Sequence, residues 1–565
     1  MANELKRLCC FVIREDFGDL VEVLILRSDY FPCPYFTFNI KAFFLQKKPA
    51  KLLFEKGRLP AALIARYSGL PLEKVKECLF ILIQHNLVYW AREVPDQIKS
   101  PIYYQIDSRE VLSRLKFGVY LNHTRNRFGN EGQVIITYVL LNGKTSFKSL
   151  VEARNLSKRT KEYKTLKEKY AELVTEGYLK YLKYTDALSA QDQQDAAEQR
   201  ELAKMTTFVP TKKEKAEARA KVAERGNAES LVGKKRKKTV VEEDHSRLSK
   251  QPRTEDTFEF VEDAQVRVNY ERFNILARND HITSFVEERI NPAAKLVMKV
   301  ILELADEKRL DAEESRAMSA QTIIRKVPTE DTLEDQIELE RQDPSHEYLV
   351  SEYLDLLVED GAKFIRKKDD SMSGLYSVRY KDLIERLKQR KLESILQEKY
   401  GSMAVRIYKI LQSKGKLEEK NIASLAMLTQ ADARKIIDQL FVEGLVELQL
   451  LTCAILTVNQ EVPKAADRAP SRTYYLWYAE PERCYQKILT CLYRTLGNIH
   501  ERRMCEKEGY ARLIERRAIA RLRSTVHLMT PEEKEQLRIF DQSMERLDVA
   551  ALRIVNLVMI LTNYR

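Results

Sequence analysis

The stretch "RLPAALIARYSGLPLEKVKECLFILIQHNLVYW", Arg58–Trp90, can fold in very few ways. Its opening helix, Ala61–Tyr67, stops at Ser68–Gly69, where glycine takes the left-handed conformation that ends a helix. Pro71 stands where the first turn of a new helix tolerates a missing N–H. Leu72, Val75, Leu79 and Leu82 follow at 3-4-3 spacing and form one apolar face. Asn86 closes this helix, and Leu87–Trp90 reads as a strand. Helix, turn, helix, strand is the skeleton of a winged helix.

The pattern recurs. Val134–Leu141 is an apolar helix ending at Asn142–Gly143, and Ser149–Ala153 is a second. Glu162–Gly177 is a third, with Leu166, Tyr170 and Leu173 inward, and Leu179–Tyr184 alternates as a wing strand. A looser copy starts at Pro292–Glu307, continues through "HEYLVSEYLDLLVEDG" and ends in a hairpin turned at Ser373–Gly374. The last copy joins Met403–Ser413 and Asn421–Leu428 to Gln430–Glu443, capped by Thr429 and ended by Gly444, then to strand "LVELQLL". Towards the C-terminus, Tyr485, Leu489, Leu492, Leu496 and Ile499 form one heptad-like seam. Phe540, Met544, Leu547, Ala551, Ile554, Val558 and Leu561 form a second, and Thr530–Pro531 separates the two. Two seams and one break predict an antiparallel coiled-coil hairpin. Cys484 and Cys491, a heptad apart, read as core fillers rather than metal ligands.

The expected fold is therefore mainly α with small β wings: four tandem extended winged helices and then the hairpin. The expected domains are 1–115, 116–184, 263–385 and 386–480 for the winged helices, and 481–565 for the coiled coil. Residues 185–262 form a charged linker, rich in Gln, Glu, Lys, Arg, Ala and Asp, that cannot bury a core. Within it "KKRKK" (Lys234, Lys235, Arg236, Lys237, Lys238) suits a nuclear-import signal, the alternative being simple solvation.

At 565 residues the chain exceeds a single core, and 32% charged residues with a mean hydropathy of -0.42 exclude a membrane protein. The net charge of +12 permits a polyanionic partner without demanding one. Met1–Cys10 lacks a secretory apolar region, so a cytosolic or nuclear protein with reduced thiols is expected.

Catalytic chemistry finds no foothold. "GKT" at Gly143–Thr145 resembles part of a phosphate-binding loop, but Tyr138 stands where that loop needs glycine, and the tripeptide follows a helix instead of a strand. It reads as a helix cap. The seven histidines are dispersed, with no HExxH and no nucleophile elbow, so no enzyme activity, cofactor or metal is expected.

Nucleic-acid contact is weighed module by module. Glu73, Lys74, Lys76 and Glu77 mix signs on the outer face of the helix after Pro71, as do Asp432, Arg434, Lys435 and Asp438 in the fourth copy. Carboxylates aimed at phosphates cancel lysines, so these helices suit protein partners. The second copy differs: Lys144, Lys148, Arg154, Lys158, Arg159, Lys161, Lys164 and Lys167 outweigh Glu152, Glu162 and Glu168. Its wing interleaves Tyr178, Lys180, Tyr181, Lys183 and Tyr184. Tyrosine faces stack on unpaired bases while lysines meet the backbone. The DNA-contact candidates are thus Lys158, Arg159, Lys161, Lys164, Lys180, Tyr181 and Lys183. The alternative is a solvated basic face with the tyrosines packed inward.

Four segments carry a family resemblance: "EDFGDLVE" (Glu15–Glu22), "IQHNLV" (Ile83–Val88), "LLNGK" (Leu140–Lys144) and "EVPKAADRAPSRTYYLWY" (Glu461–Tyr478). They resemble the largest subunit of the RNA polymerase III-specific heterotrimer (the subunit C3 family), itself similar to the large subunit of the general factor TFIIE. The resemblance spans nearly the whole chain. It implies a nuclear, non-catalytic subunit docked on the clamp of the RNA polymerase III core with two smaller partner subunits. It also implies help in opening promoter DNA, single-stranded once melted, for transcription of tRNA, 5S rRNA and other small RNAs. One segment departs from the family: Val23–Lys47, aromatic-rich with two prolines and Cys33 and without helical period. It reads as retained intron sequence, with a lineage-specific loop as the alternative. Two other functions fit less well. A proteasome-lid-type scaffold has one terminal winged helix, and a sequence-specific transcription factor needs Arg, Asn or Gln aimed at base edges.

Overall fold

A computed structural model describes residues 2–18, 47–92, 101–157, 159–202, 219, 234–236, 258–260, 262–306, 310, 312–328, 346–369, 374–452, 473–522 and 529–562. Nearly all of Val23–Lys47 lies outside these residues, as do Lys158, Lys237 and Lys238. The chain divides into two compact units. One comprises Leu5–Phe273 with Gly497–Leu552, the other Met1–Glu4, Asn274–Leu496 and Arg553–Arg565.

In the first of these units, α1 (Ala2–Gly18) buries Leu8, Cys9, Val12 and Ile13 and pairs Arg7 with Glu501 at 3.1 Å. After it come α2 (Lys47–Lys56), β1 (Leu59–Pro60), α3 (Ala61–Ser68), α4 (Leu72–Gln84), β2 (Val88–Arg92) and β3 (Ile102–Ile106). Gly69 ends α3 at φ 68°, and its N–H bonds Ala65 O at 3.0 Å. Val75, Cys78, Leu79 and Leu82 face inward from α4. Leu72, expected on that face, is 43% exposed: it opens the helix, beyond the reach of the core. The strands form an antiparallel sheet in the order β1-β3-β2.

The second module has α5 (Ser108–Arg114), α6 (Phe117–Asn142), β4 (Thr145–Ser146), α7 (Phe147–Ala153), α8 (Lys161–Thr175) and β5 (Leu179–Tyr181). α6 is kinked at Gly129, whose φ of 76° and ψ of -169° break the helical path. Further on are α9 (Ala190–Leu202), β6 (Lys234–Arg236), β7 (Phe258–Phe260) and β8 (Gln265–Val268). The sheet order here is β4-β8-β5, with Leu179 opposite Val268 and Thr145 opposite Val266. The strand that closes this sheet thus lies past the expected module end at 184, beyond the linker and inside the segment assigned to the third module. Tertiary pairing overrides that boundary. Phe273 also belongs here, its ring 5.0 Å from that of Tyr178.

In the other unit, α10 (Tyr270–Arg289) leads to α11 (Pro292–Ala305), capped by the Asn291 side chain on Ala294 N–H. β9 (Met318–Ser319), α12 (Ala320–Lys326), α13 (His346–Glu359), β10 (Arg366–Asp369) and β11 (Leu375–Ser377) complete the third module with sheet order β10-β11-β9. α14 (Tyr380–Tyr400), α15 (Ser402–Lys414), α16 (Glu419–Ala426), α17 (Gln430–Val442), β12 (Glu447–Thr452) and β13 (Thr473–Tyr478) follow. The Thr429 hydroxyl caps α17 on Asp432 N–H, and Gly444 turns the chain at φ 72°.

The C-terminal helices are α18 (Pro481–Gly509), α19 (Ala511–Leu522) and α20 (Pro531–Thr562). Arg503 meets Asp548 at 3.1 Å, the rings of Tyr510 and Phe540 are 5.3 Å apart, and Arg516 pairs with Glu533. Partner numbers fall as the others rise, so the segments run antiparallel. The buried face of α18 is Cys484, Tyr485, Ile488, Leu489, Tyr493, Leu496 and His500. Leu492 and Ile499 are only half-buried and Cys491 is exposed, a correction to the expected seam. The end of α20 leaves the heptad pattern too: Val558, Met559, Ile560 and Leu561 are all buried, and Ile560 joins the third-module core.

Candidate nucleic-acid interface

Three of the candidate cations, Arg159, Lys161 and Lys164, gather at the start of α8. Thr160 caps it, its hydroxyl accepting from Tyr163 N–H at 3.4 Å. Tyr163, Leu166, Tyr170 and Leu173 recur at 3-4-3 spacing and fill the core, so the intervening positions turn outward. Arg159, Lys161 and Lys164 are accordingly exposed and make no ion pair with any described residue. Their charges sit at the N-terminal end of α8, where the helix dipole also favours an anion.

Several other basic residues of this module are engaged. Arg154 pairs with Glu131 at 3.3 Å, Lys167 with Glu262 at 2.9 Å and Lys148 with Asp263 at 3.7 Å. Lys180 is exposed on edge strand β5, 3.8 Å from Asp186. Lys183 is half-buried, its backbone N–H donating to Asp186 Oδ2 at 3.0 Å. Lys144 sits at the joint with the first module, where Gln84 Nε2 donates to Lys144 O at 2.6 Å and Lys144 N–H donates to Gln84 O at 3.1 Å. Burial first, and the Arg267 charge second, hold its ammonium below the usual lysine range. The "GKT" tripeptide thus runs from the α6 cap at Gly143 into β4 at Thr145, with Gly143 and Lys144 against Gln84.

Tyr181 leaves the candidate set. Tyr181 is 8% exposed and Tyr178 is fully buried, its ring 5.2 Å edge-on from that of Phe128, so neither offers a face to a base. Apolar burial on the inner side of a two-sided strand outweighs the stacking that the alternating pattern suggested. Within the stretch expected as a linker, Lys234, Lys235 and Arg236 of the import candidate are paired as β6 with Phe260, Glu259 and Phe258. Glu262 and Asp263, partners of the basic face, were missed. The alternation of Val266 and Val268 just after them was the signal that a strand follows.

The first and fourth modules carry mixed-sign surfaces. Lys74 pairs with Glu77 at 3.0 Å, and Arg434 pairs with Glu419 at 2.9 Å. Among the described residues, no group of His, Cys, Asp and Glu could hold a metal ion, and no helix is long and apolar enough to cross a membrane.

Comparison with known proteins bears on the whole chain. Residues 48–93 match the RNA polymerase III subunit RPC82 helix-turn-helix domain. Residues 168–387 match the family described as RNA polymerase III subunit RPC82, and residues 392–479 the POLR3C C-terminal winged-helix domain. The chain belongs to the RNA polymerase III subunit C3 (RPC3/RPC82) family. Its relatives include DNA-directed RNA polymerase III subunit RPC3 of Danio rerio, 25% identical over 100% of this chain and 98% of the relative. The Homo sapiens subunit of the same name is 24% identical over 99% of this chain and 97% of its own length. Subunit RPC-3 of Coccidioides immitis is 27% identical over 44% of this chain and 43% of the relative. Near-complete coverage makes this an RNA polymerase III subunit of winged-helix type, which sets aside the proteasome-lid and transcription-factor readings.

Proposed function

We propose that this chain is a non-catalytic subunit that docks on the clamp of RNA polymerase III with two smaller subunits and assists promoter opening in the nucleus. On this reading it serves transcription of tRNA, 5S rRNA and other small RNAs, and its four modules are all winged helices. The near-full-length match to chains named as polymerase III subunit RPC3 carries the reading. Mixed-sign surfaces on the first and fourth modules suit protein docking. Arg159, Lys161 and Lys164, with Lys158 next to them in the sequence and Lys180 and Lys183 on the wing side, suit the backbone of melted DNA.

The test combines two measurements. Tagged protein purified from cells retains the polymerase core and two smaller chains in stoichiometric amounts. Neutralising Lys158, Arg159, Lys161 and Lys164 to Gln weakens binding to bubble DNA uniformly across sequences. It also flattens the log–log salt dependence by roughly 0.7 for each single-strand phosphate that no longer meets a cation. Lys74→Gln with Lys76→Gln leaves binding nearly unchanged. Equal effects from the two sets would assign the basic face to solvation or to a protein partner.

A further inference from the structure

The acidic residues that return from the linker sit on the basic face of the second module. Glu262 Oε1 accepts from Lys167 Nζ at 2.9 Å and from the Tyr163 hydroxyl at 3.2 Å. Asp263 Oδ1 lies 3.7 Å from Lys148 Nζ, and Lys148 N–H donates to Glu262 O at 3.2 Å. One pair of consecutive carboxylates therefore straps α7 to α8. The cations it holds adjoin the unpaired ones: Lys164 and Lys167 are three residues apart on α8, as are Lys161 and Lys164, so the three form one row.

We propose that Lys148, Tyr163 and Lys167 form an anion site for the phosphate backbone of single-stranded nucleic acid, which the chain fills with Glu262 and Asp263 until nucleic acid displaces them. This rests on the reading of the basic face as a nucleic-acid contact and adds a resident competitor to it.

Glu262 and Asp263 present two carboxylates to Lys167 and Lys148, as two successive phosphates of a strand would. An ammonium and a phenolic hydroxyl also donate equally well to carboxylate and phosphate oxygens. The occupant is cheap to displace. The Lys148–Asp263 side chains are 63% and 76% exposed and the Lys167–Glu262 side chains 47% and 35%, and exposed ion pairs contribute little to stability. The ladder that anchors β8 begins at Gln265 and the Lys148 N–H bond to Glu262 O is a backbone one, so the two carboxylate side chains can rotate away without opening either. A polyanion of lower charge density competes poorly with the resident pair, so the strap acts as a threshold that favours dense polyanions.

The test uses the full-length chain and a fluorescent single-stranded oligonucleotide in a salt titration. Glu262→Gln with Asp263→Asn binds several-fold tighter at low salt, with a log–log slope steeper by roughly 0.7 for each lysine released. Gln retains an acceptor for Tyr163, and an unchanged thermal melt shows that the fold holds. Adding Lys148→Gln and Lys167→Gln to that variant removes the gain. Glu152→Gln with Glu168→Gln makes the same change in net charge at two exposed acids of the same module and leaves affinity nearly unchanged. An equal gain from this control pair, or no gain from the strap variant, overturns the proposal. The reading beneath it is decided separately by the variant neutralised at Arg159, Lys161 and Lys164. Loss of binding there with no gain from the strap variant rejects the strap alone. A strap gain without that loss keeps the anion site and rejects the neighbouring row. A gain for polyglutamate instead of the oligonucleotide would replace nucleic acid by an acidic protein as the ligand and overturn the proposal.

Discussion

Gly143 shows how much a single missing Cβ decides. It ends α6 at φ 76° and ψ -100°, and a Cβ there would stand 2.3 Å from Gln84 O. Gly129 has the same φ of 76° but nothing within 4 Å of a Cβ. Both backbones lie where side chains are strained, at a cost of about 1–3 kcal/mol. Only Gly143 adds a clash with another segment's backbone. Gly143→Ala is therefore expected to lower the melting temperature clearly more than Gly129→Ala, and equal shifts in thermal denaturation would mean that the joint with Gln84 yields freely. The same scale explains Tyr181. Alternation along the wing identified which residues share a face, but not which face meets the core.

At the scale of elements, β8 is the most consequential strand. Val266 and Val268 are buried between β4 and β5, and Asn269 Nδ2 donates to Gly177 O at 2.9 Å. A fragment covering 116–184 lacks all of this. It should lose cooperative unfolding, whereas a fragment of 116–184 joined by a short flexible linker to 262–273 should melt cooperatively. Circular dichroism melts of the two fragments decide the point, and a stable 116–184 fragment would reduce β8 to an accessory. The loop between β5 and β8 can be long at small thermodynamic cost, because closure entropy grows only logarithmically with length.

For the whole molecule, the C-terminal helices are part of the packed core. Cys484 Sγ bonds Leu445 O at 3.1 Å, Tyr485 and Ile488 are buried, and Ile560 lies in the third-module core. Truncation before Pro481 should thus lower the thermal stability of the remaining chain by several kcal/mol, as expected for removal of several buried apolar side chains at about 2–5 kcal/mol each. Polymerase co-purification should fall in parallel. A truncated chain that melts like the full one but fails to co-purify would assign these helices to docking alone.

The content of each module is legible along the chain: the caps at Gly69, Thr429 and Gly444, and the inward faces of α4 and α8. Those signals are local, because side-chain direction in a helix repeats within a few residues and a cap is chosen by its own neighbours. The resemblance of four short segments located the family in the same way. Three features emerge only once the chain is folded. β8 belongs to the second module, the end of α20 is buried nearly all round, and Glu262 and Asp263 cover two lysines of the basic face. Each of these joins residues tens or hundreds of positions apart. A short strand or an acidic pair carries no mark of its partner until hydrogen bonding and apolar burial across the fold select one.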